Sequence, residues 1–171
     1  GTVLAFEADQ DNFKLLQENL LAKDGQHAEA FNLAVWKPGH DTMYFTGYPD
    51  FYNACGSILP WAVVEHTNKR IPVTTCSLDE ILEVVEKQGK RVRLLKIDAE
   101  FAEYPIIYSS KKLGIVDQIV MEVHEIPEYP EEAKVKGFTD YTAKGLRDHL
   151  HRQGFKMSWE WLREPREGYA G

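Results

Sequence analysis

Val92-Arg93-Leu94-Leu95-Lys96-Ile97-Asp98 is an apolar run that ends abruptly in an acid. A strand buried on both faces reads this way, as a near-continuous run without polar alternation. Ala102 to Leu113 follows with a helical pattern, in which Pro105 is acceptable only in the first turn. Asp117 to Val123 is a second buried strand that runs out into His124. Strand, helix, strand in this order predicts two parallel strands joined by a crossover, which is nearly always right-handed.

The alternation extends outward in both directions. Val3 to Phe6 is a short apolar strand ending in Glu7, and Asp9 to Lys23 is a helix with Phe13, Leu16 and Leu20 on one face. Asp9 and Asp11 occupy cap and first-turn positions, and Gly25 closes that helix. His27 to Trp36 reads as a strand with Phe31, Leu33 and Val35 alternating, and Thr42 to Thr46 as a short edge strand after a turn at 37–41. Gly47 to Thr67 is irregular. Its aromatics Tyr48, Phe51, Tyr52 and Trp61 fit either a substrate pocket or loop anchors.

Ile71 to Thr75 is the next strand, and Ser77 to Glu80 is a capping box opening a helix to about Gln88. Thr139 or Thr142 caps a last helix ended by Gly154, and Phe155 to Trp161 is a final strand. One α/β domain over residues 1–171, built on a mostly parallel sheet, is the expectation.

The 171 residues carry 20 Lys+Arg against 27 Asp+Glu, a net charge of −7. Such a balance argues against a general nucleic-acid binder and against docking on anionic membrane. Cys55 and Cys76 have no CxxC spacing, so two free thiols in a reducing cytoplasm are expected. No apolar run reaches transmembrane length and no signal peptide is visible. With no initiating Met and a strand already under way at Thr2, the chain reads as a portion of a longer protein.

Ligands of parallel sheets sit outside the carboxyl ends of the strands. Glu7 ends the first strand, where a carboxylate suits the vicinal hydroxyls of a ribose or, alternatively, faces the dipole of the next helix. Asn32 and Leu33 lie near the end of the second strand, where an adenine edge would be read. Asp98 and Glu100 end the Val92 strand, with Glu103 beyond, and Glu122 and His124 end its neighbour. If the chain stays extended, Asp98 and Glu100 share a face, as do Glu122 and His124. The crowding would shift pKa values and suits a general base, an oxygen-rich metal site with one imidazole, or plain solvated strand ends. Lys96, inside an apolar strand, is expected to pair with one of these acids. His149 and His151 stand at i and i+2 of a helix and do not share a face.

Two segments together resemble FkbM-family methyltransferases. Val3-Leu4-Ala5-Phe6-Glu7-Ala8-Asp9-Gln10-Asp11-Asn12-Phe13 is similar to that family's AFEPnpenfelLkkN segment, and Leu94-Leu95-Lys96-Ile97-Asp98-Ala99-Glu100-Phe101-Ala102-Glu103 to its LLKIDvEGaE motif. The spacing to Ile119-Val120-Met121-Glu122-Val123-His124 and the closing pattern Tyr141-Thr142, Leu146, Leu150, Gly154-Phe155 also fit, over about residues 2 to 160.

The resemblance implies a class I Rossmann-like fold, with helices on both faces of the sheet, and an S-adenosylmethionine-dependent methyltransferase. The acceptor it implies is a hydroxyl of a sugar or natural product. It places Glu7 at the cofactor ribose and Asn32 and Leu33 near the adenine. Asp98 and Glu100 fall by the methionine end and acceptor, with Glu122 on the acceptor side. His124 or Asp98 becomes the base, and no residue is assigned to a metal. Three departures stand out. Ala8 replaces the family proline, Phe101 replaces the glycine after the second acid, and the first strand with its Gly-rich turn is missing before Gly1. On that reading the 171 residues alone should bind cofactor poorly, and open strand edges would favour self-association. Two other readings remain: a fragment of an NAD-type nucleotide-binding oxidoreductase, since Glu7 suits either ribose, and a degenerate binding domain without activity.

Overall fold

Strand–helix–strand units form as expected, but among the described residues they do not share one continuous sheet. The computed structural model describes residues 1–22, 27–46, 56–58 and 70–157. Strand β1 (Val3–Phe6) leads into helix α1 (Gln10–Ala22) and returns as β2 (Ala28–Phe31), parallel to β1 with Phe6 opposite Phe31. The two phenyl rings stack with centroids 5.1 Å apart. Asp9 caps α1, its Oδ1 accepting from the Asp11 and Asn12 amides at 2.9 and 2.8 Å. Phe13, Leu16 and Leu20 are the half-buried face of α1, as the spacing requires, while Leu15 and Leu21 are exposed.

The strand expected over His27 to Trp36 is two strands in two sheets. After β2 the chain breaks at Asn32 and Leu33 and resumes as β3 (Ala34–Trp36). The cause is local. The Asn32 side-chain amide donates to the carbonyls of Glu7 at 2.9 Å and Ala8 at 3.1 Å, tying the chain to the end of β1 rather than extending its ladder. Strand β5 (Arg70–Ser77) lies between β3, parallel to it, and the antiparallel edge strand β4 (Thr42–Thr46). A third sheet pairs β6 (Leu95–Ile97) with β7 (Ile119–Met121) in parallel, across helix α3 (Glu103–Ser109). Among the described residues the single, mostly parallel sheet is thus replaced by three small ones, in which three of the four strand pairings are parallel. The strands of the third sheet are also shorter than their apolar runs, because only Val92 and Val116 bridge ahead of the ladder.

Ser77 ends β5 and opens α2 (Leu78–Lys87) through the expected capping box. The Glu80 amide donates to Ser77 Oγ at 3.3 Å, and the Ser77 amide donates to Glu80 Oε2 at 2.7 Å. Leu78 and Leu82 carry the buried face. Asp79, on the first turn, accepts from Ser110 Oγ at 2.6 Å and from the amides of Lys111 and Lys112, fixing where the chain leaves α3. Ser77→Ala removes one side of the reciprocal cap. It should lower unfolding free energy by about 1 kcal/mol, read as a lower urea midpoint at unchanged slope.

Helix α4 (Ala143–Arg152) is capped by Thr142 rather than Thr139, and it buries Leu146, His149 and Leu150 while His151 is exposed. The final strand does not form over Phe155 to Met157. Gly154 takes a φ of 95°, and the Phe155 amide returns to the Leu150 carbonyl, so this stretch closes the helix end instead. The remainder of that strand, Gly25, the aromatics Tyr48, Phe51, Tyr52 and Trp61, and Cys55 lie outside the described residues. Among the described residues no helix is long and apolar enough to cross a membrane. The buried core runs through Trp36, Leu82, Ile107, Leu146 and Leu150, so it is centred on β3, α2, α3 and α4.

Candidate active site

Strands β6 and β7 end together. Ile97 stands opposite Met121, and the Glu122 amide donates to the Ile97 carbonyl at 3.1 Å. Asp98 and Glu122 therefore leave the sheet side by side at its carboxyl end. Lys96 Nζ pairs with Asp98 Oδ2 at 3.0 Å, the partner expected for a lysine in that strand. Both groups are exposed, so the pair adds little stability.

Beyond Asp98 the chain is not extended, which corrects the expectation that Asp98 and Glu100 share a strand face. Glu100 and Phe101 have φ of 40° and 74°. Two consecutive non-glycine residues in this region cost on the order of 1–3 kcal/mol each, and side chains from elsewhere hold them. Ser57 Oγ donates to the Glu100 carbonyl at 2.7 Å, and Tyr129 Oη donates to the Phe101 carbonyl at 2.5 Å. Ser57 is itself fixed by a two-bond bridge to Thr46. Position 101 keeps the left-handed backbone that a glycine adopts freely, and uses its ring as well, 5.1 Å from the His124 imidazole.

The turn directs three acids around His124. Nδ1 lies 3.0 Å from Glu103 Oε1, while Nε2 lies 3.6 Å from Glu100 Oε2 and 3.8 Å from Glu122 Oε1. The hydrogen bond to Glu103 holds the His124 pKa above its ordinary value of 6.5, against the opposing effect of burial, with the charges of Glu103, Glu100 and Glu122 adding to the rise. Glu100 is pushed above the usual carboxylate range chiefly by burial, His124 opposing and Asp98, Glu103 and Glu122 reinforcing. Asp98, Glu100, Glu122 and His124 are thus brought into one electrostatic neighbourhood.

Glu7 follows β1 at the carboxyl end of the other parallel pair. Its Oε1 accepts from the Asp9 amide at 2.8 Å, and burial raises its pKa despite that bond. One carboxylate oxygen is thereby fixed against α1, which is part of the helix-facing role open to this residue. Asn32 is exposed with its amide nitrogen on the Glu7 and Ala8 carbonyls, and Leu33 is half-buried beside it.

Glu103, fully buried at 0% exposure, is the partner to which the sequence reading, placing it beyond Asp98 and Glu100, assigns no role. One signal was present: an acid opening a helix at the head of the largely apolar run Tyr104-Pro105-Ile106-Ile107-Tyr108. Ser57 and Tyr129 carried no signal, since their role depends on contacts 43 and 28 residues away. Among the described residues no group of three or more His, Cys, Asp or Glu is arranged to hold a metal ion. Burial pushes the Cys76 thiol up to about 11, so little thiolate forms at neutral pH. A concavity of about 270 Å³ lined by Tyr108, Phe138, Asp140 and Arg152 adjoins the opposite end of α3 and contains none of these groups.

Residues 1–157 match the family model described as Methyltransferase FkbM domain. No curated protein and no solved structure matches the chain.

Proposed function

The chain belongs to the FkbM methyltransferase family, and from that premise we propose that it transfers a methyl group from S-adenosylmethionine to a hydroxyl oxygen of a sugar or natural-product acceptor. It is a methyltransferase with a Rossmann-like domain, and this favours methyl transfer over the NAD-type oxidoreductase and the inactive binding domain. The observation that carries the finer reading is the gathering of His124, Glu100 and Glu122 just beyond the carboxyl ends of two parallel strands.

When bound, S-adenosylmethionine supplies a methyl group already activated on a sulfonium. Glu7 suits the adenosine end, because a carboxylate at the end of β1 with one oxygen pinned by the Asp9 amide offers a pre-oriented acceptor to a ribose diol. Asn32 and Leu33 follow the adjacent strand and are the groups assigned to the adenine. Asp98 faces the methionine end, and Glu100 and Glu122 hold the acceptor. His124 Nε2 would take the hydroxyl proton of an acceptor receiving the methyl group, and the imidazolium would later return that proton to solvent. The surrounding carboxylates favour the positive ring that results.

Titration calorimetry with S-adenosylhomocysteine tests the cofactor assignment. Measured on the full-length protein, the wild type should bind, and Glu7→Ala should weaken binding by roughly 10- to 100-fold, as the loss of a charged hydrogen-bond acceptor implies. Binding that is absent in the wild type, or unaltered in the variant, would remove Glu7 from the cofactor site.

A further inference from the structure

We infer that Glu103 is the positioning residue of this site, fixing the His124 ring so that Nδ1 carries the proton and Nε2 faces the acceptor. The inference rests on the reading of His124 as the base. A carboxylate with 0% exposure is costly unless something compensates it. Its Oε1 has two partners: His124 Nδ1 at 3.0 Å and the Ala99 amide at 3.3 Å. Its Oε2 is buried with no hydrogen-bond partner. Among the described residues, the imidazole is therefore the one side chain bonded to this acid, and the acid is the one group within hydrogen-bond distance of Nδ1.

The chemistry follows from the ring. A neutral imidazole has one N–H and one lone pair, and a carboxylate acceptor at Nδ1 selects the tautomer with the lone pair on Nε2. The groups facing His124 come from three elements: Glu103 from α3, Glu100 and the Phe101 ring from the left-handed turn, and Glu122 from the end of β7. Glu100 and Glu122 lie at 3.6 and 3.8 Å from Nε2, beyond direct hydrogen-bond distance, so an acceptor hydroxyl entering among them finds Nε2 still available. Glu103 touches neither substrate nor cofactor and acts only through the ring.

Nitrogen-15 NMR of histidine-labelled protein reads both the tautomer and the titration of His124 directly. In the wild type the neutral ring should be the Nδ1–H form, titrating above 6.5. In Glu103→Gln the Ala99 amide keeps an oxygen toward the ring, so the tautomer should persist while the pKa drops by about one unit or more. In Glu103→Ala both the tautomer preference and the raised pKa should be lost. The acidic limb of methyl-transfer turnover should move to lower pH in Glu103→Gln, an effect that a merely structural role would not produce. A wild-type ring in the Nε2–H form overturns the proposal without any variant, as does a folded Glu103→Gln protein with unchanged His124 titration. Absent S-adenosylhomocysteine binding would count against the cofactor reading alone and leave the tautomer result standing.

Discussion

Replacing His124 with alanine is expected to lower methyl-transfer turnover by about 100- to 10,000-fold, the usual contribution of a positioned general base, while S-adenosylhomocysteine affinity is retained. The split between turnover and affinity separates proton removal from cofactor binding. His124 has its Nδ1 committed to Glu103 and its Nε2 among Glu100 and Glu122, so the imidazole serves the acceptor side. Release of S-adenosylhomocysteine over a panel of sugar and polyhydroxylated acceptors gives the measurement. A variant that turns over at the wild-type rate would transfer the base role to Asp98, the other candidate.

The same ring predicts a pH dependence of opposite sign for activity and stability. The folded-state pKa of His124 is raised above 6.5, so the base form accumulates only above that pH and turnover should climb through it. Stability runs the other way. The raised pKa means that folding favours the protonated ring. Its contribution is fully present below about pH 6.5 and is lost as pH rises through the folded-state value. In His124→Ala both dependences should flatten.

The strand ends were legible because parallel strands announce themselves by apolar runs that give way to ionisable residues, as at Glu7, at Asp98 and over Glu122 to His124. Ser77 was legible for a similar reason, as a cap is a purely local arrangement. Asn32 was not. Its alternating neighbours Phe31, Leu33 and Val35 read as one strand, and only its tertiary bonds to Glu7 and Ala8 show why the strand divides. The turn at Glu100 and Phe101 was hidden too, because neither residue favours positive φ and the hydroxyls that hold it arrive from Ser57 and Tyr129. The resemblance to an E-G pair at that position was the closest hint, and its glycine is absent here. Local chemistry thus points to the rim of the sheet, whereas the orientation of each group on that rim depends on long-range contacts.

Trp36→Ala is expected to have the largest effect on stability, a loss of roughly 3–5 kcal/mol against the roughly 5–15 kcal/mol typical of a folded domain. Trp36 is 1% exposed on β3, directly opposite Ser77, the cap of α2, and β3 packs against α3. Trp36 and the α3 residues Tyr104, Ile106 and Ile107 share one buried cluster, so the β3 sheet and the helix that carries Glu103 are held by the same core. The Trp36 indole Nε1 is buried without a partner, so part of the burial gain is already offset by an unsatisfied donor. Trp36→Phe deletes that donor and keeps most of the apolar ring, and should be far milder than alanine. Urea unfolding followed by circular dichroism, which does not rely on the removed fluorophore, distinguishes the two. Loosening of α3 should also show at the site: folded Trp36→Ala protein should lose part of the raised His124 titration as Glu103 drifts from Nδ1, whereas Trp36→Phe should keep it. Equal stability of the alanine variant and the wild type would mean that this tryptophan does not anchor the core, and the support assigned to α3 would have to come from α2 and α4 instead.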